Sequence, residues 1–72
     1  MTYKEKVLKI MPGTECEKVG LGYPTMRYQC YSPWIMIEGS TFRYIGKGLS
    51  EVAAWKDMHK TLISAMTRTL EL

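Results

Sequence analysis

Gly46-Lys47-Gly48-Leu49-Ser50-Glu51-Val52-Ala53-Ala54-Trp55-Lys56-Asp57 decides how the second half of this chain folds. It joins a strand-like run ending at Ile45 to a long amphipathic segment. Gly46 and Gly48 read as breakers of the strand. Ser50 is a good N-cap, and Glu51 follows where the helix dipole favours a negative charge. Val52, Trp55, Met58 or His59, Leu62, Ala65 or Met66 and Leu70 then recur at helical spacing, one apolar face over roughly five turns. Thr67 and Thr69 weaken the far end, so fraying is expected after Arg68.

Immediately upstream, Trp34-Ile35-Met36-Ile37-Glu38 and Thr41-Phe42-Arg43-Tyr44-Ile45 flank Gly39-Ser40. A two-residue Gly-X loop predicts a type II′ hairpin, because glycine takes the positive φ at the first central position. That register sets Glu38 opposite Thr41, Ile37 opposite Phe42, Met36 opposite Arg43, Ile35 opposite Tyr44 and Trp34 opposite Ile45. Ile35, Ile37, Phe42 and Tyr44 then share the core face, and Trp34, Met36, Arg43 and Ile45 the other. A rival register runs Cys30 to Met36 as one bent strand. Pro33 has no N–H to give a ladder, so it marks an edge, a bulge or a break.

Further upstream, Met26, Tyr28 and Cys30 alternate with Arg27, Gln29 and Tyr31, a strand over 26–31. Residues 14–19 form a weaker strand, and the glycine- and proline-bearing 20–24 form a loop. Pairing the two strands about Tyr23 sets Cys16 opposite Cys30, which allows a disulfide under oxidation; the plainer reading is two neighbouring core thiols. Thr2-Tyr3-Lys4-Glu5 is a capping-box pattern. Tyr3, Val7 and Ile10 or Met11 share one face of a short helix that Pro12-Gly13 stops. Helices under ~12 residues are marginal alone, so this one must dock.

The order is α-β-β-β-α: an α+β domain with a small three-stranded antiparallel sheet, packed on one face by a short N-terminal and a long C-terminal helix. The 72 residues make one domain. So short a chain buries only about 60% of its unfolded surface, and its core is small. No apolar run approaches the ~18 residues of a membrane span, and no apolar signal core follows Met1. The expected location is the cytoplasm, with both cysteines reduced. The net charge of +3 permits weak attraction to nucleic acid or acidic proteins and demands neither.

Catalytic and metal chemistry find little here. His59, the one histidine, lies beside the apolar stripe and reads as a half-buried packing residue. Cys16, Cys30 and His59 fit no common zinc spacing, since structural sites use four ligands. Gly46-Lys47-Gly48 lacks the length and the terminal Lys-Ser/Thr of a phosphate loop. The expectation is therefore no enzyme, no cofactor and no metal. What remains is surface. Tyr31, Trp34, Met36 and Arg43, with Lys47 nearby, make an aromatic–methionine–arginine patch, a composition enriched at protein interfaces. Lys4, Lys6, Lys9 and Lys18 read as a solvated face.

The pattern Gly46-x-Gly48-x-Ser50-Glu51-x-x-Ala54-Trp55-x-Asp57, preceded by Val7-Leu8, Pro12 and Cys16, resembles short open reading frames of tailed bacteriophages. The resemblance implies a phage or prophage accessory protein in the bacterial host cytoplasm, with no defined activity. Together with the patch, it raises the expectation of a non-enzymatic protein that binds and inhibits or redirects a host protein, as anti-defence proteins and anti-CRISPRs do. The layout is also similar to double-stranded RNA-binding domains, which have a Gly-x-Gly-x-Ser turn before the last helix. The lysine pair of that family is replaced here by Glu51 and Val52, and Trp55 follows Ala54 in place of a basic residue. Nucleic acid is thus the second partner class. A homodimer through the same sheet face or the open strand edge is compatible with either.

Overall fold

The computed structural model describes residues 1–19 and 27–71, with side chains as far as Thr67 in the last helix. The expected loop at 20–24, the strand start at Met26 and the Leu70 side chain lie outside the described residues. Among the described residues seven elements follow in order: α1 (Tyr3–Ile10), β1 (Glu15–Lys18), β2 (Tyr28–Tyr31), β3 (Ile35–Ile37), β4 (Ser40–Phe42), β5 (Ile45–Gly48) and α2 (Glu51–Glu71). The class is α+β, with an N-terminal helix, antiparallel strands and a C-terminal helix.

The helix ends form for the reasons their caps suggest. Thr2 Oγ1 accepts from the Glu5 N–H at 3.1 Å, and the Thr2 hydroxyl donates to Glu5 Oε1 at 3.1 Å. Ser50 Oγ accepts from the Ala53 N–H at 3.1 Å, which satisfies one of the orphan donors of α2. The buried face of α2 is Ala54, Trp55, Met58 and Leu62. Val52, expected on that face, is 68% exposed. Counting from Trp55, Met58 and Leu62 continue its stripe at three and seven residues, while Val52 falls at its rim. The backbone of α2 remains helical to Glu71, past the point where fraying was expected. Helix α1 packs along α2, and Val7 joins Cys30, Ala54, Trp55, Met58 and Leu62 in the core.

The principal sheet has the order β1-β2-β5, all antiparallel. Cys16 lies opposite Cys30, as the pattern predicts, and Cys30 lies opposite Gly46. Gly46 and Gly48 are therefore part of a strand; the expectation that they break one is overturned. They are glycine because α2 lies directly on them. A Cβ at Gly46 would stand 2.5 Å from the Met58 backbone nitrogen, and one at Gly48 would stand 2.7 Å from the Ala53 carbonyl carbon. The outer edge of β5 is closed in part by α2, where the Asp57 carboxylate accepts from the Lys47 N–H at 2.9 Å.

Strands β3 and β4 form a separate two-stranded hairpin that extends the β2–β5 pair. Its register corrects the expected one. Ile35 pairs with Phe42, Met36 with Thr41 and Ile37 with Ser40, so the turn is Glu38-Gly39. Both turn residues have positive φ (49° and 82°), the requirement of a type I′ turn, in place of the expected Gly39-Ser40 type II′ turn. Relative to the expected register each partner moves by two residues, because the turn sits one residue earlier. Residues 32–34 on one side face only 43–44 on the other, a bulge that offsets the hairpin by one residue from the β2–β5 ladder. Ile37 keeps the side of Ile35 and Phe42, but beside the turn at the hairpin tip it is 55% exposed.

Ser32 holds the base of this hairpin. Its N–H donates to the Tyr44 carbonyl at 3.0 Å, its Oγ accepts from the Tyr44 N–H at 2.8 Å, and its hydroxyl donates to the Pro33 carbonyl at 3.0 Å. Ser32 is buried. Ser32→Ala strands the Tyr44 amide without a partner, an expected loss of about 1–3 kcal/mol. Thermal unfolding followed by circular dichroism should show a midpoint lower by about 10 °C; an unchanged midpoint would mean that water replaces the hydroxyl at no cost.

Candidate functional site

Because α2 covers one face of the three-stranded sheet, the alternate residues of each strand turn to the other. Glu15, Tyr31 and Ile45 form one cross-strand row there, and Glu17, Gln29 and Lys47 the next. The bulge at Pro33 then brings Trp34 and Arg43 over the end of the first row. The Arg43 guanidinium lies 4.4 Å from the Tyr31 ring and 4.5 Å from the Trp34 ring. Both distances are well inside the range of cation–π attraction. Trp34 is 64% exposed, while Tyr31 and Arg43 are half-buried.

This arrangement leaves the guanidinium fixed and chemically unspent. Its planar face is engaged by the two rings, and its N–H edges make no hydrogen bond or ion pair among the described residues. An immobilised guanidinium with free N–H edges is a ready donor fork for a carboxylate or a carbonyl. Beneath it, the Tyr31 hydroxyl donates to Gln29 Oε1 at 3.1 Å. The nearby Glu17 carboxylate pulls on the same proton and, with a smaller contribution from burial, raises the Tyr31 pKa above 10.0. Tyr31 is therefore a neutral donor across the physiological range. Glu15, Glu17, Gly13 and Pro33 complete a shallow recess of about 400 Å³ around Tyr31, Ser32, Trp34 and Arg43.

Of the five residues expected at a partner-binding surface, the structure brings Tyr31, Trp34 and Arg43 into contact. Met36 lies farther out on β3, opposite Thr41, and is 75% exposed. Lys47 stands apart. It pairs in register with Gln29, but from the sheet edge it lines a different concavity with Tyr3, Lys56, Asp57, His59 and Lys60. No known protein family, curated protein or solved structure matches this chain.

Several participants escaped the sequence reading. Glu15 and Glu17 give the recess an acidic rim, which only the register with Tyr31 and Gln29 reveals. Lys56 and Lys60, one helical turn apart, face a shared concavity with Lys47; their i, i+4 spacing was the available signal. His59 is half-buried, with its ring 5.8 Å from Tyr3. Among the described residues, no three His, Cys, Asp or Glu side chains gather as metal ligands, and no helix is long and apolar enough to cross a membrane.

Proposed function

We propose that this is a small, non-enzymatic phage or prophage accessory protein that binds a host protein in the bacterial cytoplasm and inhibits or redirects it, in the manner of anti-defence proteins. The observation that carries the reading is the Arg43 guanidinium held between Tyr31 and Trp34 with its donors unused. Exposed Trp and Arg are the residues that dominate protein interfaces energetically, and their immobilisation lowers the entropy lost on binding. The exposed, apolar Met36 lies farther out along the hairpin. A partner suited to it presents a carboxylate to Arg43, with an apolar side chain beside it for Trp34 and Met36. The phage-like pattern at 46–57 supports the biological setting.

Affinity capture from a bacterial host lysate, with and without nuclease, tests this reading. The expected result is one host protein recovered in near-equal amount by the parent and unaffected by nuclease. Trp34→Ala combined with Arg43→Ala should reduce that recovery about 10-fold or more, since each residue is of the hot-spot type. Both side chains lie outside the core, so the variant should keep the parent's circular dichroism spectrum. Undiminished capture by a folded double variant would remove this surface from the proposal.

A further inference from the structure

A second surface lies across the molecule, where α1 runs along α2. Lys6 Nζ, from α1, stands 5.1 Å from the centroid of the Tyr3 ring, and Lys56 Nζ, from α2, stands 6.0 Å from it. Two ammonium groups from different helices thus gather on one ring. The ring quadrupole attracts each, while the two repel one another. Lys47 and Lys60 line the adjoining concavity, which is open and about 600 Å³ in volume. None of these four ammonium groups makes an ion pair or hydrogen bond among the described residues. Asp57 is the one carboxylate lining the concavity, and it accepts from the Lys47 backbone N–H.

The charge of the chain is unevenly placed as a result. Setting aside these four lysines and Asp57, the remaining basic and acidic residues balance at six each. Three lysines against one aspartate give the concavity itself a surplus of two positive charges, with Lys6 on the Tyr3 ring beside it. A local surplus with no internal partner calls for an external anion.

We propose that this concavity binds the phosphodiester backbone of a nucleic acid. The cations are all lysines, compact point charges suited to phosphate oxygens; a carboxylate-reading site favours the planar fork of arginine. The concavity is open, so it suits a polymer passing through more than a small anion engulfed. Lys56 and Lys60 have Cβ atoms about 5–6 Å apart on one helix face, close to the step between successive phosphates of a strand. The tilted Tyr3–His59 pair adds ring surface beside the cations, a combination common at strand-binding sites. Phosphodiester chemistry is shared by single strands and duplexes, and the site is defined by what they share.

Fluorescence anisotropy with a labelled single strand and a duplex of equal length, each titrated across salt, tests the site. Four phosphate contacts give an expected slope of log affinity against log salt of about −3. Lys56→Gln with Lys60→Gln should make that slope shallower by about two and weaken binding about 10-fold or more at low salt. Both side chains are exposed, so the fold should survive, as a circular dichroism melt will verify. Trp34→Ala with Arg43→Ala, on the other face, should bind both probes as the parent does. Binding in either arm with these responses supports the site, and the tighter arm names the preferred form. Absence of binding to both probes at low salt, a parental slope in the lysine variant, or equal affinity for polyglutamate of matched charge would each overturn it. Because the two surfaces share no residue, failure here leaves host-protein capture untouched.

Discussion

Replacing Gly46 with alanine is expected to remove a large part of the stability of the native fold. The added Cβ would stand 2.5 Å from the backbone nitrogen of Met58 and 2.6 Å from its Cα and Cβ. A helix backbone has no rotamer to change, so the whole of α2 must lift away from β5. Lifting it uncovers Met58, Ala54, Trp55 and Leu62, most of the buried core. Such overpacking costs about 3 kcal/mol or more. A chain of this length has a total stability of about 4–11 kcal/mol, so much of it would be lost. The thermal midpoint should fall by about 15 °C or more, if a folded baseline remains at all. Gly39→Ala is the comparison that separates steric conflict from backbone preference. Nothing lies within 4 Å of a Cβ there, and only the positive φ of 82° opposes it, at a cost of about 1 kcal/mol. A Gly46→Ala protein that melts within about 3 °C of the parent would mean that the strand–helix contact is looser than described.

Oxidation should raise stability by a comparable amount. The Val19 N–H donates to the Arg27 carbonyl at 2.7 Å, which fixes the alternation of the β1–β2 ladder. Cys16 and Cys30 thereby fall at a non-hydrogen-bonded pair, where opposing side chains come closest, about 4.5 Å between Cα atoms. That separation is within the range a disulfide spans. Closing a loop of this length removes unfolded-state entropy equivalent to about 3 kcal/mol, an expected rise of about 15 °C in the thermal midpoint. The reaction should be slow at neutral pH, because thiolate is the attacking species. Burial pushes the pKa of Cys30 far above the ordinary 9.0, reinforced by the adjacent Cys16 thiol. Burial raises that of Cys16 as well, against a smaller opposing effect of the neighbouring Cys30 thiol. Diamide treatment followed by thiol titration and a reducing versus non-reducing melt will measure the effect. Failure to form the intramolecular bond, or an oxidised protein that melts lower than the reduced one, would show that the pair cannot close without distorting the sheet.

Sequence disclosed the elements whose causes are local. Thr2 and Ser50 mark helix starts because a cap depends only on the next three residues. The facing of Cys16 and Cys30 follows from alternation around a single loop. The companionship of Trp34 and Arg43 also survived, although the hairpin register behind it did not. The errors have causes distant in the chain. Gly46 resembles a breaker because the atoms that require its missing side chain belong to Met58, on a helix not yet begun. The turn was placed one residue late because Gly39-Ser40 is locally attractive, whereas the pairing of Ile37 with Ser40 puts Glu38 and Gly39 at the turn, both with positive φ. The lysine concavity was invisible because Lys6 and Lys56 meet only through the docking of α1 on α2.

The β3–β4 hairpin pairs with itself and packs against no other helix or strand. Its outer residues Met36, Ile37, Glu38 and Thr41 are exposed, and none belongs to the core. Substitutions there escape the stability threshold that purges change elsewhere in so small a protein. The tip is thus a segment that can carry heritable variation without endangering folding. Under the proposed function, such a segment would let recognition track a changing target while the remainder of the molecule stays as it is.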